Sequence, residues 1–285
     1  MVLAGGFGAT ALCKGGQGSS ACWSFDHAAD LLCASVVQLV GPGRIGAAVR
    51  VSGAPPLRGG NLDIAPAPDE TTVLRLRHLL EQHDLCGMML DAVNIHLESK
   101  GIKIQTGTII DATIVHAPSS TKNSAGERDP EMHQTKKCNQ WYFGLKAHVG
   151  VDAKTGTVHT LVTTSANVAD STLLPDLLHG EERKVWGDGA YQGQTAAIRE
   201  AAPKAQDMTC RRTRFKYYVD ELQKKKNRSK SSIQAKVEHV FRIVKRVFGF
   251  DKVRYRGLAK NHHRLCTNFA LANIYLHRKR LAVLG

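Results

Sequence analysis

Apolar positions along the chain recur first at helical spacing, then at strand spacing, then at helical spacing again, which predicts an α/β protein. Val73, Leu74, Leu76, Leu79 and Leu80 follow the capping cluster Asp69-Glu70-Thr71-Thr72 and predict a first helix. Leu90, Val93 and Leu97 predict a second, ended by Gly101. Thr108 to Val115 is a β-branched run of strand length, expected at the centre of a sheet. A polar loop (Pro118 to Gln140) leads to two further strands, Trp141–Val151 and Thr157–Ser165. The turn Asp152-Ala153-Lys154-Thr155-Gly156 makes them a hairpin. Beyond it the pattern predicts a helix over Asp170–Leu178, a short strand over Lys184–Gly187, a helix over Gln194–Ala202 and a strand over Asp207–Arg211. A long helix from about Ser232 to Phe248 and a last one from Lys260 to Leu281 close the chain.

The first sixty residues do not share this patterning. They hold 12 of the 26 glycines and three of the seven cysteines, with two acids and four basic residues, and show neither a 3.6 nor a 2.0 period. A poorly ordered leader is expected over 1–65, either low-complexity or carried in from another reading frame. It is followed by a helical region over 66–103 and an α/β domain over 104–285. This leader lacks a basic segment followed by an uninterrupted apolar run and a cleavage site, so no secretion signal is expected.

Charge sharpens the picture. The chain of 285 residues carries a formal net charge of +14, which favours a polyanionic partner. The last 85 residues contain 22 lysines and arginines against five acids, so the excess is concentrated there. The run Lys224 to Lys230 reads as a solvated loop or, given its place before Glu238, as a phosphate-binding segment. The seven cysteines include no CxxC pair, which removes the usual sign of a zinc knuckle or a disulfide framework.

Three acids stand out against that basic background. Asp111 interrupts an apolar strand, where an unpaired carboxylate is costly unless a partner or a metal compensates it. Asp188 stands between Gly187 and Gly189 where a strand should end, a position that lets a ligand approach the backbone. Glu238 borders the apolar stripe Val237, Val240, Phe241, Val244 and Phe248 of the long helix, with Arg242 one turn on and Lys245 two turns on. Taken singly each has a bland explanation, as a hydrogen-bonded group, a turn residue and a helix ion-pair partner. Together they make an oxygen-donor set for two divalent cations about 3.5–4 Å apart, which suits phosphodiester chemistry.

Several segments in order resemble the DDE transposases of bacterial insertion sequences, specifically the group named for insertion sequence five. The carriers are Asp69-Glu70-Thr71, Gly107-Thr108-Ile109-Ile110-Asp111-Ala112-Thr113, Asn139 to His148, Gly187-Asp188-Gly189-Ala190-Tyr191, Lys236-Val237-Glu238-His239, and Lys252 to Asn261. The resemblance covers roughly Pro68 to Arg280. It implies a ribonuclease H-like (retroviral integrase-like) mixed sheet flanked by helices, with Asp111, Asp188 and Glu238 as catalytic ligands of two magnesium ions, for which manganese can substitute. Lys245, Arg242, Arg254, Arg256 and Lys260 are expected near DNA phosphates. The implied partners are double-stranded DNA, as terminal inverted repeats and target, and further copies of the chain assembled on it in the bacterial cytoplasm at the nucleoid. Ser231 and Gln234 stand where the group's signature has tyrosine and arginine, and the N-terminal helical region used for end recognition is replaced by the Gly-rich leader. Poor or no transposition by this chain is therefore expected. The alternative reading is a truncated, catalytically inactive DNA-binding remnant.

Overall fold

The run from Thr108 to Val115 forms the strand expected of it and lies at the middle of the sheet. A computed structural model describes residues 85–284, together with His78, Glu81 and Gln82, and excepting Ala125, Cys138, Phe215 and Lys216. The 1–65 leader and the apolar positions Val73–Leu80 of the first expected helix lie outside the described residues. In chain order the elements are α1 (Leu85–Ser99), β1 (Gly107–His116), β2 (His133–Lys137), β3 (Gln140–Asp152), β4 (Val158–Ser165), β5 (Lys184–Trp186), α2 (Thr195–Ala201), β6 (Gln206–Asp207), α3 (Glu221–Arg242) and α4 (Leu258–Leu284).

Among the described residues the strands form one mixed sheet. β1 pairs antiparallel with β3, from Thr108 opposite Asp152 to His116 opposite Gly144, and parallel with β5, which in turn pairs parallel with β6. β3 is long enough to hold β2 against Gln140–Gly144 and β4 against Leu145–Val151. β2 falls inside the stretch expected as loop: its sequence His133-Gln134-Thr135-Lys136-Lys137 has no apolar position, and its pairing comes wholly from the backbone of β3.

Alternation along β1 divides two cores. Ile109 and Val115 face one way, with Val149, Leu145, Val237, Val240, Phe241, Leu265 and Phe269, under α1, α3 and α4. Ile110 faces the other way, with Leu174, Leu177, Val185, Tyr191 and Ile198. The segment 170–178, expected as a helix, is two 3-10 turns, Asp170–Leu173 and Pro175–Leu177. Pro175 has no N–H to continue a helical ladder. The strand expected over 207–211 is confined to Gln206–Asp207.

α3 starts at Glu221, well before Ser232, because the Asp220 side chain accepts a hydrogen bond from the N–H of Gln223 and caps it. The basic run 224–230, expected as a loop, is therefore a helical face. The helix ends in a π turn over Ile243–Val247.

A buried amide bridge fastens α1 and α4 to β4. Asn273 donates to the Val158 carbonyl (2.8 Å) and to Asn94 Oδ1 (2.8 Å), accepts from the Val158 N–H (2.9 Å), and Asn94 also donates to the Val158 carbonyl (3.0 Å). Without these bonds the polar ends of three elements would be left unpaired in the interior.

Candidate active site

The parallel register of β1 and β5 pairs Gly107 with Lys184, Thr108 with Val185 and Ile109 with Trp186. The pairing stops there, two residues short of Asp111 on β1 and of Asp188 after β5, and the Asp188 carboxylate lies close enough to raise the pKa of Asp111. Gly187 makes the approach possible: a side chain there would press on the Tyr191 ring at 3.0 Å and on Ile110 at 3.2 Å. Asp188 caps the 3-10 turn Gly189–Tyr191, its Oδ1 accepting from the Ala190 N–H at 2.8 Å, and is exposed.

Asp111 has the parity of Ile109 and so lies on the face that α3 covers. Glu238, exposed on α3 beside the buried Val237, is on that side too. The proximity registers in the charge of Asp111, whose carboxyl is pushed up to about 7. Burial is the main cause, the N–H of Ala112 opposes it from 2.7 Å, and the carboxylates of Asp188 and Glu238 raise it further while Lys137 opposes them. Among the described residues none of the three acids makes a salt bridge.

Carboxylates without thiolate or imidazole are the donor set of a hard divalent cation, and a half-buried acid raised by two like charges is one that a cation relieves. The residues fit such an ion in kind. They are not drawn into a closed cage: among the described residues no group of three or more His, Cys, Asp or Glu side chains stands ready to hold a metal.

Of the expected DNA contacts, Lys245 is partly buried and donates from Nζ to the Ile114 carbonyl at 2.7 Å. Its pKa is lowered by burial and by Lys137, with Glu238 and Asp251 opposing. As placed, it holds β1. Arg242, Arg254, Arg256 and Lys260 are exposed. The two arginines of this loop follow Asp251–Val253, which binds the end of β1 through His116, and Lys260 stands in the first turn of α4. Ser231 and Gln234 face Cys210, at 4.0 and 3.6 Å from its sulfur, and Cys210 donates its N–H to the Gly187 carbonyl. The two departures from the group's signature therefore flank the Asp188 turn.

Two polar side chains on the Ile110 face of the sheet have no role that the sequence pattern announces. The Tyr191 hydroxyl is buried without a partner among the described residues, and burial together with Asp170, Asp111 and Asp188 raises its pKa. Lys146 pairs with Asp170 at 2.9 Å and caps the Val168 carbonyl. Adjacent on the same face, His148 is fully buried, with Nε2 2.9 Å from Thr164 Oγ1 and its pKa lowered to about 4 by burial. A neutral histidine so enclosed is structural. His239 is exposed on α3. Trp141 is 65% exposed at the start of β3.

The sheet carries two aspartates on neighbouring segments, and α3 places a glutamate on the side that it covers. A family model described as the transposase DDE domain matches residues 103–274, more than half of the chain, and the chain belongs to that family. Members of the family are transposases, with nuclease and transesterase activity on DNA, and generally use divalent metals. No solved structure matches the chain. Among the described residues no helix is long and apolar enough to cross a membrane.

Proposed function

We propose that this chain is a DNA transposase of the insertion-sequence-five group that cleaves and joins strands at the ends of its element with two magnesium ions held by Asp111, Asp188 and Glu238. The parallel register of β1 and β5, which ends two residues before Asp111 and Asp188 and so brings the two segments out side by side, carries the reading. The strand order β4-β3-β1-β5-β6, antiparallel on one side of β1 and parallel on the other, supports a ribonuclease H-like catalytic domain over 104–285. A helical region over 66–103 and a leader over 1–65 precede it.

When bound, the metals activate the attacking oxygen and stabilise the leaving one. The chain's own residues do the rest. Asp111 and Asp188, fixed on adjoining backbone, set the site, and Glu238 closes on them from α3. The exposed Arg242, Arg254, Arg256 and Lys260 hold DNA phosphates, so affinity falls steeply with salt. Double-stranded DNA and further copies of the chain are the partners, and the bacterial cytoplasm is the compartment.

The test is nicking of a supercoiled plasmid carrying the DNA that flanks this gene. Magnesium- or manganese-dependent nicking that disappears in Asp188→Ala is expected. Nicking unchanged in that variant sinks the assignment. Retained DNA binding without nicking by the wild-type chain would favour the inactive remnant.

A further inference from the structure

We propose that Asn227 is a positioning residue for Glu238: it clamps α3 to a short strap, residues 209–212, whose other side is bonded to the turn that carries Asp188. The proposal rests on the reading of the site given above and adds to it a residue that is neither one of the three acids nor one of the cations expected at DNA phosphates.

The first support is how the strap meets the turn. It leaves β6 and runs on beside β5. The Met208 N–H donates to the Val185 carbonyl at 2.8 Å and the Cys210 N–H to the Gly187 carbonyl at 2.9 Å, so the backbone bonding continues past Trp186 to the residue before Asp188. Beyond the turn, Gln192 Oε1 accepts the Arg212 N–H at 2.9 Å. The chain on both sides of Asp188 is therefore bonded to the strap.

The second support is which face of α3 the strap meets. Asn227, Ser231, Gln234 and Glu238 follow one another at intervals of four, three and four residues, which puts them on one face of the helix. Asn227 Oδ1 accepts the Arg211 N–H at 3.2 Å and its Nδ2 donates to the Arg211 carbonyl at 2.6 Å, while Gln223 Nε2 donates to the same Oδ1 at 2.7 Å and fixes the amide. Further along, Ser231 and Gln234 lie 4.0 and 3.6 Å from the Cys210 sulfur, and Lys230 Nζ donates to the Thr209 carbonyl at 2.8 Å. Glu238 comes next on this face, one turn after Gln234. The residue whose sulfur rests on Gln234 is thus the one whose N–H holds Gly187, and a chain of contacts runs from the second acid to the third. Its sulfur contacts are loose and Lys230 swings on a flexible stem. The short Asn227 amide, bonded twice to one residue, sets how far α3 can slide or turn along the strap.

The test compares Asn227→Ala and Gln192→Ala with the wild-type full chain and with Asn273→Ala, which removes a buried amide between α4 and β4 instead. Four quantities are read: the rate of magnesium-dependent nicking of the flank-bearing plasmid, affinity for a duplex from the same DNA in calcium without turnover, manganese binding by the protein without DNA, followed by electron paramagnetic resonance of the free ion, and hydrogen exchange over residues 186–191. Asn227→Ala is expected to slow nicking roughly tenfold and to weaken manganese binding by roughly as much, with duplex affinity unchanged and exchange over 186–191 faster. Gln192→Ala releases the strap from the turn and should move the same quantities in the same direction. Asn273→Ala, assayed below its melting range, should move none of them. Wild-type manganese binding and nicking in Asn227→Ala overturn the proposal. So do changes that Asn273→Ala reproduces, which would make them a matter of stability alone, and a loss of duplex affinity at unchanged manganese binding, which would make Asn227 a DNA contact. If the wild-type chain neither nicks nor binds manganese, the functional reading fails by itself; exchange over 186–191 that Asn227→Ala leaves unchanged then overturns the coupling as well, and faster exchange upholds it.

Discussion

Lys245 Nζ donates to the carbonyl of Ile114, joining the π turn after α3 to the strand that carries Asp111, across 131 residues of sequence. Ile114 is three positions on from Asp111 along β1, so the tie fixes the distance between the first acid and the helix that brings the third. Lys245→Met, which keeps the stem and deletes the donor, leaves a carbonyl unsatisfied and is expected to lower stability by about 1–3 kcal/mol. Nicking should fall with it, chiefly through the rate and not through DNA affinity. Thermal melting and a binding curve separate the two, and a variant that melts like wild type while losing only affinity would refute this role.

Glu238 is exposed, so exchanging its carboxylate for an amide costs little stability, within about 0.5 kcal/mol. The expected loss is functional. Glu238→Gln should reduce magnesium-dependent nicking by roughly a hundredfold or more while the melting temperature stays in place. Full activity in a well-folded Glu238→Gln protein would remove the third acid from the site.

The amide bridge between Asn94, Val158 and Asn273 lies in the interior, and its members cannot turn to water. Asn273→Ala strands the Val158 N–H and one lone pair of Asn94, and should destabilise the chain by about 2–4 kcal/mol. Denaturant unfolding measures it. A loss below that range would mean that a solvent molecule replaces the amide.

The fold depends on pH through a histidine far from the acids. His159 is enclosed between Thr108, Thr160 and the ring of His179, and burial, then His179, lowers its pKa to about 4 from the usual 6.5. The unfolded chain takes up this proton near pH 6.5 and the folded chain resists it, so stability is lost as pH falls from 6.5 towards 4. The ceiling is about 3 kcal/mol. His159→Gln cannot titrate. The stability of wild type relative to this variant should therefore decline over that window and stay level above pH 7. A difference independent of pH would show that the histidine is not held neutral.

Most of the sheet could be read from the sequence because alternation and burial coincide there. β1, β3 and β4 carry mostly apolar residues where they face a core, with Thr108, His148 and Asp152 as buried polar exceptions, and the expected strands match them to within a residue or two. β2 and the first half of α3 could not be read that way. His133–Lys137 and Glu221–Ser231 have almost no apolar positions; one is held by backbone pairing and the other by the Asp220 cap and by continuity with the stripe beginning at Val237. The site divides on the same line. An acid inside an apolar strand and an acid between glycines announce themselves locally. Tyr191 does not, because its nearness to both aspartates comes from the 3-10 turn that Asp188 caps, which leaves no periodic trace.

Synthesis order gives the late position of Glu238 a further meaning. The last strand ends at Asp207, so a growing chain can complete its sheet, with the segments of Asp111 and Asp188 already side by side, while the third carboxylate has not yet been made. A product cut short in that interval by a premature stop would keep the two aspartates and lose α3, Glu238 and the basic residues beyond it. The sheet and its two aspartates are thus complete in the chain before the helix that covers them exists.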